Sequence, residues 1–120
     1  MLIDFFEINQ TGYGSKLVDG NLVSAGPLIF DLIVEQTFFC AIDPSLRKKY
    51  FEKMYSLLKP KGKIVGLLFD TEFEVSPPFG GTKSEYENYF KNLFKINVFE
   101  KCYNSIKPRE GKELFINLER

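Results

Sequence analysis

Five consecutive side chains, Glu35-Gln36-Thr37-Phe38-Phe39, set a carboxylate, an amide and a hydroxyl beside two aromatic rings. They follow Phe30-Asp31-Leu32-Ile33-Val34, a nearly continuous apolar run with the composition of a strand buried on both faces. Ligands of open α/β sheets bind outside the carboxyl ends of the strands. A strand, a polar cluster, a ring pair and then Asp43-Pro44, which suits a helix start, is therefore the layout of a binding edge.

Several chemistries are excluded. The chain has no histidine, so the commonest general base and metal ligand is missing and a Ser-His-Asp or Cys-His centre cannot form within it. Its two cysteines, Cys40 and Cys102, supply neither a disulfide framework nor a four-ligand zinc site, and are expected to be reduced structural thiols. No catalytic acid–base residue and no metal are expected. The 16 basic and 16 acidic residues are spread along the chain, which argues against a nucleic-acid partner. No apolar run approaches the roughly 20 residues of a membrane helix, and Asp4 and Glu7 interrupt any signal-like start. A cytoplasmic protein with no membrane partner is expected. At 120 residues with 44% hydrophobic content, the chain is long enough for one packed core.

The elements that would position the binding edge follow from periodicity. Residues 2–8 read as a short strand. Leu17-Val18-Asp19-Gly20-Asn21-Leu22-Val23 reads equally as a hairpin about an Asp-Gly turn or as an irregular loop. Residues 27–35 form the first buried strand. After Asp43-Pro44, Leu46, Tyr50, Phe51, Met54, Leu57 and Leu58 share one helical face, while Arg47, Lys48, Lys49, Glu52 and Lys53 are expected largely in solvent. Lys59-Pro60-Lys61-Gly62 ends that helix, and residues 63–69 form a second buried strand. Together these make a right-handed βαβ unit. An aspartate at Leu32 or Val65 is accordingly expected to prevent folding.

A Pro-, Gly- and Phe-rich loop over residues 70–81 leads to Thr82-Lys83-Ser84-Glu85, a capping box. The helix after it should bury Tyr86, Tyr89, Phe90 and Leu93. Residues 96–103 and 113–118 read as strands whose connection is too short for a crossover, so they are antiparallel. The strand from Glu113 is expected between those at 63–69 and 96–103.

Three segments carry a family resemblance. Residues 30–43, with the run Thr37-Phe38-Phe39-Cys40-Ala41, resemble the fourth strand and following loop of the thiopurine S-methyltransferase-like family, its thiol, thiocyanate and halide methyltransferases above all. Pro77-Pro78-Phe79-Gly80-Gly81 is similar to the family's Gly-Pro-Pro-Phe substrate loop, with Ser76 in place of the first glycine. Asn104-Ser105-Ile106-Lys107-Pro108-Arg109-Glu110-Gly111-Lys112-Glu113 resembles its Asp-Ser-Ile-Pro-x-Arg-x-Gly-Lys-Glu segment. Asp4-Phe5-Phe6-Glu7 also resembles the segment preceding the fourth strand. Three motifs in order and at the right spacing are specific where each alone is modest.

The resemblance implies an α/β fold. It is a truncated, Rossmann-like class I methyltransferase sheet, mostly parallel, with an antiparallel pair at its C-terminal end. Residues 1–27 would be an N-terminal strand and loop segment, and 28–120 the C-terminal half of the domain. The implied cofactor is S-adenosylmethionine, held by Glu35, Gln36, Thr37 and Phe38. The implied acceptor is a small thiol, thiocyanate, halide or thiopurine, contacted by Phe39, Pro78, Phe79 and Arg109. Packing is an equal expectation for Phe38, Phe39 and Phe79. An ion pair with Glu110, Glu113 or another carboxylate competes with a substrate role for Arg109. No glycine-rich turn of the kind that cradles the cofactor follows a strand here; Gly12-Tyr13-Gly14 reads as a loop. The alternatives are a non-catalytic binding or assembly module, or one half of a split enzyme. A second chain or second copy is expected to cover the open sheet edge, the alternative being that residues 2–8 or the hairpin at 17–23 fold back over it.

Overall fold

A computed structural model describes residues 15–18, 21–24 and 30–120. The expected strand at residues 2–8, the Gly12-Tyr13-Gly14 segment and the beginning of the strand expected from Pro27 lie outside them. Strands β1 (Ser15–Val18) and β2 (Asn21–Ser24) pair antiparallel, Leu17 opposite Leu22. Of the two readings of this segment, the hairpin is the one formed.

The main sheet has four strands: β3 (Phe30–Glu35), β4 (Leu58–Phe69), β5 (Lys95–Lys101) and β6 (Glu113–Glu119). Their order is β3-β4-β6-β5, with β3–β4 parallel and the other two pairs antiparallel. The neighbours are those expected: β3, β4 and β5 run in one direction, and β6, inserted between β4 and β5, runs against both. Helical connections join β3 to β4 and β4 to β5; the connection from β5 to β6 is too short for one, so β6 is antiparallel to its neighbours.

Helix α1 (Arg47–Leu57) makes that crossover. Asp43 caps the turn before it, accepting from the Ser45 N–H at 2.9 Å, with Pro44 at the first position. At the other end, Arg120 donates through Nη1 to the carbonyls of Tyr55 (2.7 Å) and Leu58 (3.0 Å). The guanidinium faces the negative end of the helix dipole, joining the Leu58 N–H on the Tyr55 carbonyl. The chain turns into β4 without a break, so residues 59–62 are part of an irregular strand start and not a separate loop. The β3–β4 register slips there, and Lys61 takes φ 68°.

Helix α2 (Lys83–Phe90) is shorter. Thr82 Oγ1 accepts from the Glu85 N–H at 3.3 Å, the forward half of the expected capping box. The reciprocal half is absent, because the Glu85 carboxylate is drawn to Arg47 at 2.7 Å. A buried cation outcompetes one neutral N–H.

Both helices contribute to a core on one side of the sheet. Tyr50, Phe51, Met54 and Phe90 are buried there with Ile64, Leu68, Leu114, Ile116 and Leu118. Phe51 meets Phe39, Tyr50 and Phe90 with centroids 5.1–5.3 Å apart, the tilted and edge-on geometry that aromatic quadrupoles favour. Gly66 sits opposite Glu35, and any side chain there would run into the Glu35 backbone.

The opposite face overturns one expectation. Leu32 and Val34 are 55% and 73% exposed, and Val65, Leu67 and Phe115 are half-buried. Paired residues share a face, so Val34, Val65 and Leu67 with Phe115 form an apolar stripe uncovered by described residues. Among the described residues β3 is an edge strand, open on its outer side and on one face. An apolar run in sequence does not distinguish a strand buried within its own domain from one whose cover lies elsewhere.

The helix face also departs from its reading. Arg47 and Lys53, expected in solvent, are buried. Arg47 lies three residues before Tyr50, four before Phe51 and seven before Met54, on the buried stripe itself.

Candidate functional site

β3 and β4 run parallel; β3 ends at Glu35 opposite Gly66, and β4 runs on to Phe69. The chain then bends sharply. Thr37 takes φ 62°, a left-handed conformation that is uncommon for a β-branched residue, and its hydroxyl donates to the Gln36 carbonyl at 2.6 Å. Holding such a residue costs about 1–3 kcal/mol, and such costs cluster at binding sites. A short 3-10 turn, Phe39–Ala41, follows.

A small concavity opens at this bend. Its polar wall is Gln36, Thr37, Arg109 and Glu113; Cys40 and residues 67–69 complete it. Three of the residues singled out from sequence, Gln36, Thr37 and Arg109, therefore meet across the sheet from segments more than seventy positions apart. Arg109 belongs to a 3-10 turn, Lys107–Arg109, and its Nε lies 3.8 Å from the buried Glu113 carboxylate. That is the ion pair expected as one of its alternatives. No hydrogen bond involves its guanidinium among the described residues, and the group is partly exposed, so its outer nitrogens remain available to an anion.

Glu35 is placed differently. Its carboxylate points into the core, where it accepts from the Tyr50 hydroxyl and from the Phe38 and Phe39 N–H groups at 3.1 Å each. Burial raises its pKa, against the lowering effect of those three donors. Tyr50, almost wholly buried beside it, is pushed well above its ordinary value by burial and then by the Glu35 charge. Glu35 thus ties the end of β3 to α1 and caps the turn after it. Phe39 is buried in the core and Phe38 stacks on Tyr50 at 5.9 Å, so neither ring lines the concavity.

Pro78 and Phe79 sit half-buried on the loop between β4 and α2, which returns past Cys40. The Phe79 N–H donates to the Cys40 carbonyl at 2.7 Å, and the Gly81 N–H to Thr71 at 2.9 Å. Side chains on Gly80 or Gly81 would collide with Thr71 or the Tyr86 ring, so both glycines are needed for this close approach. The loop passes the concavity through Cys40 but does not line it. Cys40 is buried, and its thiol donates to the Thr37 carbonyl at 3.4 Å. Burial and then the Glu35 charge raise its pKa, so it is a poor nucleophile, as expected of a packing thiol. Its place on the concavity wall, like that of Glu113, was not legible in sequence. Arg47 was also missed, although its spacing to Tyr50 and Phe51 carried the signal.

The architecture is that of S-adenosylmethionine-dependent methyltransferases. A Methanosarcina mazei enzyme of this class superposes with a TM-score of 0.61 over 76% of this chain and 59% of its own, at 16% identity. A Burkholderia thailandensis 1,6-didemethyltoxoflavin-N1-methyltransferase, solved with S-adenosylhomocysteine, superposes with a TM-score of 0.60 over 79% of this chain and 45% of its own, at 15% identity. Within that class, residues 19–118 match the thiopurine S-methyltransferase family, and the chain belongs to it. It is 38% identical over 87 residues to thiocyanate methyltransferase 1 of Brassica oleracea. It is 37% identical over 86 residues to a probable thiol methyltransferase 2 of Arabidopsis thaliana. These matches cover 71% and 70% of this chain, and the chain spans 38% of the length of either relative. No helix among the described residues is long and apolar enough to cross a membrane.

Proposed function

We propose that this chain supplies the acceptor side of a methyltransferase site that transfers the S-adenosylmethionine methyl to a small thiol, thiocyanate, halide or thiopurine. The observation that carries this is the convergence of Gln36, Thr37 and Arg109 on one concavity at the carboxyl ends of the parallel strands. The cofactor's sulfonium supplies an already activated methyl group. A soft anionic acceptor needs alignment and exclusion of water more than a general base. Arg109 provides positive charge for such an acceptor, and residues 67–69 an apolar floor.

The described residues fit the cofactor in part. Gln36 and Thr37 offer polar groups at the strand end, with Phe38 behind them. The Glu35 carboxylate is committed to Tyr50 and two backbone N–H groups, and Glu113 faces Arg109, so neither is placed to take the ribose hydroxyls. The isolated chain is therefore expected to bind S-adenosylmethionine at roughly millimolar affinity or weaker, because a few contacts barely offset the cost of association. Calorimetric titration measures this. A stoichiometric micromolar isotherm that weakens in Gln36→Ala and Phe38→Ala would show a complete site within this chain.

The exposed Leu32 and Val34 support a second element of the same reading: another polypeptide, or another copy of this one, covers the β3 edge. Light scattering is expected to report a dimer or larger assembly. A monomer throughout the micromolar range would instead favour cover by the chain's own N-terminal residues. An assembly that shows no methyl transfer to thiocyanate with S-adenosylmethionine present would favour a non-catalytic binding module.

A further inference from the structure

The geometry points to Arg47 as a positioning residue that locks the Pro77–Gly81 loop in place before any acceptor arrives. Its guanidinium is 1% exposed and reaches three segments at once. Nη1 donates to Glu85 Oε2 at 2.7 Å, and Nη2 to the Gly80 carbonyl at 2.9 Å and the Phe79 carbonyl at 3.3 Å. The cation lies 4.8 Å from the Phe39 ring centroid and 5.4 Å from that of Tyr86. Phe79 is thus gripped on both sides, its carbonyl by Arg47 and its N–H by the Cys40 carbonyl. Tyr86, whose hydroxyl donates to the Phe69 carbonyl at 2.5 Å, closes the ring of contacts back to the end of β4.

Such a burial is unfavourable in itself. Arg47 Nε has no hydrogen-bond partner among the described residues, and an apolar side chain of similar length would fill this volume without desolvating a charge. What an apolar side chain lacks is the fork: two rigidly spaced donors that join an acidic side chain on α2 to two consecutive loop carbonyls. Lysine keeps the charge but not the fork. The position therefore sets where Pro78 and Phe79 stand beside the concavity, and the loop is preformed.

The relevance of the loop to an acceptor rests on the function proposed above, but its rigidity does not, and the test reads rigidity alone. Amide hydrogen exchange of the full chain is compared among wild type, Arg47→Lys and Glu85→Ala. Arg47→Lys is expected to exchange the Phe79 and Gly81 N–H groups at least tenfold faster, with the Ile64 and Ile116 N–H groups of the sheet unchanged. Glu85→Ala leaves the loop contacts but frees the other arm of the fork, and is expected to shift the same two amides about threefold. If Arg47→Lys does not fold, the ratio of loop to sheet exchange in Glu85→Ala decides. Loop amides as protected as in wild type, or loop and sheet amides accelerated equally, would overturn the assignment. Absence of methyl transfer would instead strike the proposed function and leave the exchange result standing.

Discussion

Ile64→Asp is expected to leave no cooperative unfolding transition, while Leu32→Asp unfolds within about 1 kcal/mol of wild type. Ile64 is fully buried in β4, between Ile33 of β3 and Leu118 of β6, under the helices. A carboxylate there would have no cation or donor nearby. It must lose its hydration or take up a proton, and either costs several kcal/mol. Domains of this size have only about 5–15 kcal/mol in total. Leu32 is on the edge strand and more than half exposed, so a charge there stays hydrated. Thermal melts followed by circular dichroism separate the two. The pair also corrects the expectation from sequence, which placed Leu32 in the core. A melt lost in Leu32→Asp at monomeric concentration would mean that the chain itself covers this face.

Glu35 carries the second large effect. Glu35→Ala removes the acceptor from the Tyr50 hydroxyl and from two backbone N–H groups, and leaves the end of β3 untied from α1. The expected loss is about 3–5 kcal/mol, because breaking a buried network from one side leaves the other donors unsatisfied. The pH dependence has a definite sign. Burial raises the folded-state pKa above the unfolded value, so the native state binds this proton more tightly. The stability that comes from this proton is fully present below the unfolded pKa, near 4.5, and is lost as pH rises through the raised folded value. Urea titrations at a series of pH values should show this fall in wild type and its removal in Glu35→Gln. An unchanged profile in Glu35→Gln would mean that another group carries the dependence.

The site itself was legible only in fragments. Gln36 and Thr37 were identifiable because the apolar run of β3 stops at a polar cluster, and Arg109 because residues 104–113 resemble a family segment. That they meet, with Glu113 and Cys40 between them, depends on the β6 register against β4, which pairs Phe69 with Glu113. No local pattern encodes a register between strands more than forty residues apart. Arg47 shows the converse failure. Its spacing to Tyr50, Phe51 and Met54 put it on the buried face, but a charge is read as solvated unless its partners are known. Those partners, Glu85 and the carbonyls of Phe79 and Gly80, are 32 to 38 residues away.

By itself the sequence determined the element types, the Asp43-Pro44 and Thr82 helix starts, the strand order and the family. Each follows from local chemistry, from connection length, or from motifs preserved in order. The tertiary structure decided which polar groups face the concavity and which serve the core. Glu35 and Gln36 are adjacent and equally polar, yet one carboxylate is drawn inward by Tyr50 and two N–H groups while its neighbour's amide remains at the surface. Successive residues at a strand end point to opposite faces. Which face is packed is settled by the helices that cover it, and the helices among the described residues cover one face only.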